Sequence, residues 1–246
     1  MRLDVYLCEI GLAASRNEAQ GFIKAGAVKV DGKIILKPAF SVDGKPATVE
    51  VDRTTKKYVS RGGYKLEGAL SAFSVSAEGK YCIDIGASSG GFTDCLLQHG
   101  AAHVIAIDSG TAQLAASLAS DSRVTSIENY NARFLSAEDI PYRPDLAVMD
   151  VSFISATYII PAIFNCLDNG GEFICLIKPQ FEVGKEGIGK GGIVKDAKAR
   201  DAAVTKVVDF AKAIGFSFIG ATLSSIKGGD GNIEFLAYFK KTNGAE

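Results

Sequence analysis

The sequence predicts an α/β protein in two parts: a small basic α+β unit over residues 1–59, with a linker from about residue 52, and a doubly wound, mostly parallel sheet over residues 60–246. Three observations predict it. From residue 81 onward, apolar runs of strand length alternate with amphipathic segments of helix length, the rhythm of βαβ units. A glycine-rich turn, Gly86-Ala87-Ser88-Ser89-Gly90-Gly91, joins the first of those strands to a helix. Charge also divides near the boundary: residues 1–65 hold 12 Lys/Arg against 7 Asp/Glu and the remainder 15 against 21, so the net charge of −1 conceals a basic front on an acidic body. A basic module of this kind points to a partner that carries phosphates.

In the first part, Leu3, Leu7 and Ile10 share one helical face, and Gly11 stops that helix. Ser15 with Glu18 three residues on reads as a capping box, opening a helix through Ala19, Phe22 and Ile23 to Gly26. Ala27 to Val30, Asp31-Gly32 and Lys33 to Leu36 read as a hairpin with a type I′ turn, because both turn positions need positive φ. The polar stretch Asp52 to Ser60 is the linker.

The second part begins with a helix containing Arg61-Gly62-Gly63-Tyr64-Lys65-Leu66. Strands follow at 81–85, 103–108, 146–149, 172–177, 217–222 and 234–239, with another ending near Ile127-Glu128; helices are expected at 93–99, 112–119 and 197–214. Five cysteines, an odd number with no C-x-x-C pair, argue for reduced thiols in a cytoplasm and against a zinc site. Asp4 and Glu9 interrupt the N-terminal apolar residues, so no secretion signal is expected, and the longest uncharged apolar-rich run, Val151 to Leu167, carries Ser152, Ser155, Pro161 and Asn165, so no spanning helix is expected. A soluble cytoplasmic protein follows.

Glycines in Asp84-Ile85-Gly86-Ala87-Ser88-Ser89-Gly90-Gly91-Phe92 let the backbone approach a ligand at the carboxyl end of the sheet, making Gly86, Ser88, Gly90, Gly91 and Phe92 candidate cofactor contacts. Asp108 ends the second strand, where an acid can accept both ribose hydroxyls of an adenosine cofactor; NAD enzymes use the same arrangement. Asp84 decides between them. A carboxylate beside the loop suits the cationic amine of S-adenosylmethionine and would repel a pyrophosphate. Asn131 and Arg133 could flank the adenine or simply stabilise a loop.

Gly86 to Gly90 also satisfies G-x-S-x-G, but a hydrolase of that type needs a histidine late in the chain, and both histidines, His99 and His103, come too early. Gly184-Lys185 and Gly189-Lys190 lack the Ser or Thr that a P-loop needs. Asp150 and Lys178 each follow a buried strand, the position where ligand chemistry collects in this architecture. Lys65 and Glu234 are weaker on position alone.

Two resemblances extend this reading. "RLDVYL", "SRNEAQGFIKAGAVKVDGK" and "KPAFSV" resemble the S4 RNA-binding domain, which implies a basic RNA-facing surface at Arg16, Lys24, Lys29 and Lys33; Arg2 and Arg61 complete the RNA-contacting set. The ordered motifs "SRGGYKL", "DIGASSGGFTDCLL", "MDVSFIS", "IKPQFEVGK", "GGIVKD" and "GNIEFL" resemble the TlyA family, haemolysin A-like proteins that join an S4 domain to an FtsJ-like, Rossmann-like methyltransferase dependent on S-adenosylmethionine. That resemblance implies a catalytic Lys-Asp-Lys-Glu tetrad at Lys65, Asp150, Lys178 and Glu234. It also implies ribosomal RNA or a ribosomal subunit as partner, and a cytidine 2′-hydroxyl as acceptor.

The hydroxyl must be aligned with the S–CH3 bond and lose its proton. Lys178 either accepts that proton, which burial and Lys65 would favour, or orients the oxygen as a cation. Phe153 and Phe181 are expected to wall the target nucleotide or to pack in the core. A membrane-acting haemolysin is the other class to weigh, although no amphipathic basic helix supports it. The remaining alternative is an RNA-binding protein whose methyltransferase domain is inactive.

Overall fold

Leu3 and Leu7 of helix α1 (Leu3–Glu9) and Ala19, Phe22 and Ile23 of α2 (Arg16–Lys24) share a core with Val28 and Val30 of β1 (Val28–Val30). The computed structural model describes residues 1–24, 26–42, 44, 48–52 and 57–242, with Lys24 and Lys185 as backbone only. It divides into two units, Met1–Lys57 and Tyr58–Glu246. Strand β1 pairs antiparallel with β2 (Lys33–Ile34) and β3 (Val49–Val51). Asp31 at φ 47 and Gly32 at φ 77 make the type I′ turn between β1 and β2.

Ser15 Oγ accepts from the Glu18 amide at 3.2 Å, as a capping box requires, while the Glu18 carboxylate accepts from the Ala14 amide at 2.8 Å instead of closing on Ser15. Ile10 departs from expectation: it is exposed, and the side chain buried alongside Leu3 and Leu7 is Asp4. In the linker, residues 53–56 lie outside the described residues.

In the second unit, β4 (Tyr81–Ile85), β5 (His103–Ile107), β6 (Val124–Ile127), β7 (Leu146–Met149), β8 (Glu172–Ile177), β9 (Phe216–Leu223) and β10 (Phe235–Lys241) form one sheet in the order β6-β5-β4-β7-β8-β10-β9. Strands β4 to β8 are parallel, and β10 runs antiparallel to both its neighbours. Helices α3 (Gly62–Phe73) and α4 (Gly91–Gln98) cover one face, packing on Cys82, Val104, Val148 and Ile174. Helices α6 (Ile160–Cys166) and α8 (Ala197–Ile214) cover the other, over Ile83, Ile105, Met149 and Phe173. Both faces being covered, the central strands are largely apolar on both faces instead of alternating, with Asp84 of β4 the buried exception.

The expected helix over 112–119 shrinks to α5 (Ala116–Ala119), because Ala112 sits at φ 50 and the Glu128 carboxylate binds the amides of Ala112 and Gln113. Strand order reverses at β4, the chain going first to β5 and β6 and then back to β7 and β8, so a crevice opens at the carboxyl ends of β4 and its neighbours. Short α7 (Pro179–Glu182) leaves the sheet beside it, directly after Lys178.

Candidate active site

The β4–α4 turn is built to lie close to its neighbours. A Cβ on Gly86 would fall 2.5 Å from the Asp150 carbonyl oxygen, one on Gly90 2.3 Å from the Leu118 side chain, and one on Gly91 2.2 Å from Ser60 Oγ. Gly86 and Gly90 also adopt positive φ, 82 and 92. Asp108 ties this turn to the next loop: Oδ2 accepts from the Ser88 amide at 2.8 Å and Oδ1 from the Gly110 amide at 2.7 Å.

Two clefts meet along the turn. One, about 310 Å³, is lined by Arg61, Lys65, Gly91, Phe92 and Lys178; the other, about 420 Å³, by Asp108, Tyr130, Asn131, Phe153 and Ile154. Gly86, Ser88, Asp150 and Ser152 line both. Asn131 caps the short helical turn Ala132–Phe134, its side chain accepting from the Arg133 amide at 3.1 Å, so it lines the cleft and also stabilises a loop.

Lys65, Asp150, Lys178 and Glu234 come together from α3, the end of β7, the end of β8 and the residue before β10. Lys65 Nζ donates to Glu234 Oε2 at 2.6 Å and stands 3.9 Å from Asp150 Oδ2. Lys178 Nζ lies 2.5 Å from Asp150 Oδ1 and donates to Ser152 Oγ at 2.7 Å. The result is one continuous chain, Glu234–Lys65–Asp150–Lys178–Ser152, whose Glu234 end is buried and whose Ser152 end is exposed.

Three supporting residues escaped the sequence reading. Ser152 lies two residues after Asp150 and completes the chain just described. Asn232 is buried two residues before Glu234; its Nδ2 donates to Gly192 O at 2.9 Å and its Oδ1 accepts from the Val194 amide at 3.0 Å, fastening the loop that follows α7 to the turn carrying Glu234. Glu182 accepts from Ser155 Oγ at 2.6 Å, the Ala156 amide at 2.7 Å and Lys206 Nζ at 3.0 Å, joining the loop after β7 to the segment after Lys178. Ser152 and Asn232 fall inside the motifs "MDVSFIS" and "GNIEFL", and their signal is a polar residue at spacing two from a charged one.

Asp84 differs from expectation. It lines neither cleft: the side chain is fully buried, Oδ2 accepts from Thr93 Oγ1 at 2.7 Å, and Oδ1 has no hydrogen-bond partner. Burial pushes its carboxyl up to about 7, against the lowering effect of the Thr93 hydrogen bond. An orphaned buried carboxylate oxygen behind the glycine turn, with Asp108 presented at the other end, fits a cationic ligand with a sugar hydroxyl pair better than a pyrophosphate.

Phe153 is 92% exposed at φ 64, its ring 5.2 Å from that of Phe181. The ring is thus presented largely to solvent at the cleft it lines, in a backbone conformation that phenylalanine rarely adopts. Of the RNA-facing candidates, Lys29 and Lys33 are exposed on the β1–β2 hairpin, and Arg2 and Arg16 both bind Asp4. The Lys24 side chain lies outside the described residues. Arg61 is exposed in the second unit, at the cleft that holds Lys65 and Lys178.

Among the described residues no cluster of His, Cys, Asp and Glu could hold a metal ion, and no helix is long and apolar enough to cross a membrane. None of the five cysteines forms a disulfide, and burial pushes the thiols of Cys82 and Cys166 up to about 12 and about 11.

A doubly wound sheet with ligand clefts at its switch point, a glycine turn and a lysine–carboxylate chain at the same edge defines an S-adenosylmethionine-dependent methyltransferase. The chain belongs to the FtsJ-like methyltransferase family, whose model matches residues 58–241, and an S4 domain model matches residues 1–47. It is 44% identical over 239 residues to the 16S/23S rRNA (cytidine-2′-O)-methyltransferase TlyA of Mycobacterium tuberculosis, covering 97% of this chain and 89% of that one. It is 46% identical over 244 residues to Hemolysin A of Brachyspira hyodysenteriae, covering 97% and 99%. A solved structure from Streptococcus thermophilus, described as a hemolysin, superposes with a TM-score of 0.79 at 43% identity, covering 99% and 89%. An S-adenosylmethionine-dependent methyltransferase from Listeria monocytogenes shares the fold alone, at 13% identity and a TM-score of 0.56 over 74% of this chain and 98% of that one.

Proposed function

We propose that this protein methylates the 2′-hydroxyl of a cytidine in ribosomal RNA. The observation that carries the proposal is the chain from Glu234 through Lys65 and Asp150 to Lys178, ending beside the glycine turn that lines both clefts. The relatives named as rRNA cytidine methyltransferases support the choice of acceptor.

When bound, S-adenosylmethionine supplies an activated methyl on a sulfonium, so the protein's work is alignment and proton handling. Gly86, Ser88, Gly90, Gly91 and Phe92 would hold it along the turn, Asp108 would accept its ribose hydroxyls, and Asn131 would border its base. Asp84 stands behind the turn as a buried carboxyl raised to about 7, whose ionised form a cationic ligand would favour.

Lys178 Nζ donates to Ser152 Oγ and is ion-paired with Asp150, which favours its reading as a charged donor that aims the attacking oxygen. In that reading the ammonium has no lone pair, so the proton lost by the hydroxyl passes to the Asp150 carboxylate of the pair. Lys65 and Glu234 hold that pair from the buried side. Arg61 at the cleft neutralises a phosphate of the substrate, and Phe153 stacks on the target base. Arg2, Arg16, Lys24, Lys29 and Lys33 bind the surrounding RNA, a collective and salt-sensitive contribution.

Mass-spectrometric mapping of 2′-O-methyl groups in rRNA from cells with and without the gene tests the proposal. A cytidine that loses its methyl group in the deletion and regains it with wild-type protein is the expected result. Unchanged maps, together with dye release from liposomes at micromolar protein, would instead establish the membrane-acting alternative.

A further inference from the structure

Among the described residues of Met1–Lys57, Asp4 is the one ionisable side chain that is buried, with none of its surface exposed. Its Oδ1 accepts from Arg2 Nε at 2.9 Å; its Oδ2 accepts from Arg2 Nη2 at 3.0 Å, Arg16 Nη2 at 3.2 Å and Gln20 Nε2 at 2.9 Å. The Arg2 hydrogen bonds hold the Asp4 carboxyl well below the usual carboxylate range, against the opposing effect of burial. A buried carboxylate with this many donors remains an anion at any physiological pH.

The two arginines come from different places, Arg2 just ahead of α1 and Arg16 at the start of α2, and α1 and α2 pack together. One carboxylate therefore holds both guanidinium groups on the same patch. Each keeps about half of its side-chain surface exposed, 49% for Arg2 and 57% for Arg16, with further N–H donors on the groups. An arginine pair fixed from behind meets a phosphate without first having to be ordered, which is how pre-organisation adds affinity.

We propose that Asp4 is a positioning residue for RNA recognition: it sets Arg2 and Arg16 as a single rigid fork for a backbone phosphate. The proposal rests on the reading of this protein as an RNA methyltransferase. It also makes an acid necessary on a surface that binds an acid, and that gives the test its sign.

Asp4→Asn raises the protein's net charge by one. If the arginines act only as charges, binding to deproteinised ribosomal RNA tightens; if Asp4 positions them, Kd and the KM for RNA rise about tenfold while kcat and the Kd for S-adenosylmethionine hold. Arg16→Lys keeps the charge and removes the fork, so it lowers affinity similarly, and the double variant adds little to either single one. Gln20→Ala removes one bond to the same carboxylate and no arginine contact. It lowers the melting temperature without a comparable loss of RNA affinity.

Equal or tighter RNA binding by Asp4→Asn, or full affinity in Arg16→Lys, overturns the inference. So does full additivity of the two. Should Asp4→Asn fail to fold, Arg16→Lys and Gln20→Ala still decide it. Wild-type protein that binds no ribosomal RNA overturns the functional reading along with this one, whereas wild-type binding with Asp4→Asn unimpaired overturns this one alone.

Discussion

Lys65 and Glu234 are 169 residues apart in sequence and meet through a 2.6 Å hydrogen bond, both almost entirely buried. The pair sits at the protected end of the tetrad, and a buried ion pair that loses one member leaves the other charge stranded.

The first prediction concerns that pair. Lys65→Met should destabilise the protein by about 3 kcal/mol because Glu234 is left without its partner. Lys65→Met with Glu234→Gln should recover part of that loss. Denaturant melts arranged as a double-mutant cycle measure the coupling, and simple additivity would contradict the pairing.

Lys178→Ala is expected to abolish methyl transfer while leaving S-adenosylmethionine affinity within a few-fold of wild type. Lys178→Arg keeps a charged donor, so residual turnover in that variant supports the orienting role, whereas a variant as inactive as alanine supports proton acceptance by the amine. Near wild-type turnover in Lys178→Ala would contradict the tetrad assignment. Single-turnover assays with calorimetry on the same samples separate these outcomes.

Asp108→Ala removes a carboxylate that ties Ser88 to Gly110 and is read as the ribose acceptor. Affinity for S-adenosylmethionine should fall by about 1.5 to 3 kcal/mol, with a lower melting temperature from the loosened loops. Calorimetry and thermal melts would show whether the two losses appear together.

Asp84 gives the pH dependence. Its carboxyl is raised to about 7 from an ordinary 3.8, mainly by burial, so between those values the folded state binds more protons than the unfolded one. The stability this contributes is fully present below the ordinary value and is lost as pH rises through about 7. Asp84→Asn should therefore make the ligand-free protein more stable than wild type above pH ~7, by an amount of order 4 kcal/mol at most. Parallel stability curves for variant and wild type from pH 4 to 9 would contradict the raised value.

Much of this was legible in the sequence because local and global preferences agree there. The apolar runs at Leu146–Met149 and Glu172–Ile177 and the capped helix Ala197–Ile214 fold where the pattern puts them, since Asp196 caps that helix and Gly215 ends it. What the sequence hid are long-range bonds. Glu128 holds Ala112 out of a helix that its neighbours favour, and Asp4 takes a core position on α1 because partners elsewhere in the chain satisfy its charge. The positions of Asp150 and Lys178 at strand ends were readable. The orientation of Asp84 was not, because a carboxylate beside a ligand loop and one buried behind it share the same sequence.

The reversed strand β10 has a consequence for synthesis. It follows β9 in the chain, yet it lies between β8 and β9, so β9 has no neighbour in the described sheet until β10 has left the ribosome and slotted in. A strand entering from the opposite direction also presents its beginning, not its end, at the edge where Asp150 and Lys178 stand, which is how Glu234 arrives there. The fourth charged member of the site is thus delivered by the same event that pairs β9 into the sheet, and a nascent chain cannot hold the assembled tetrad before β10 has been made.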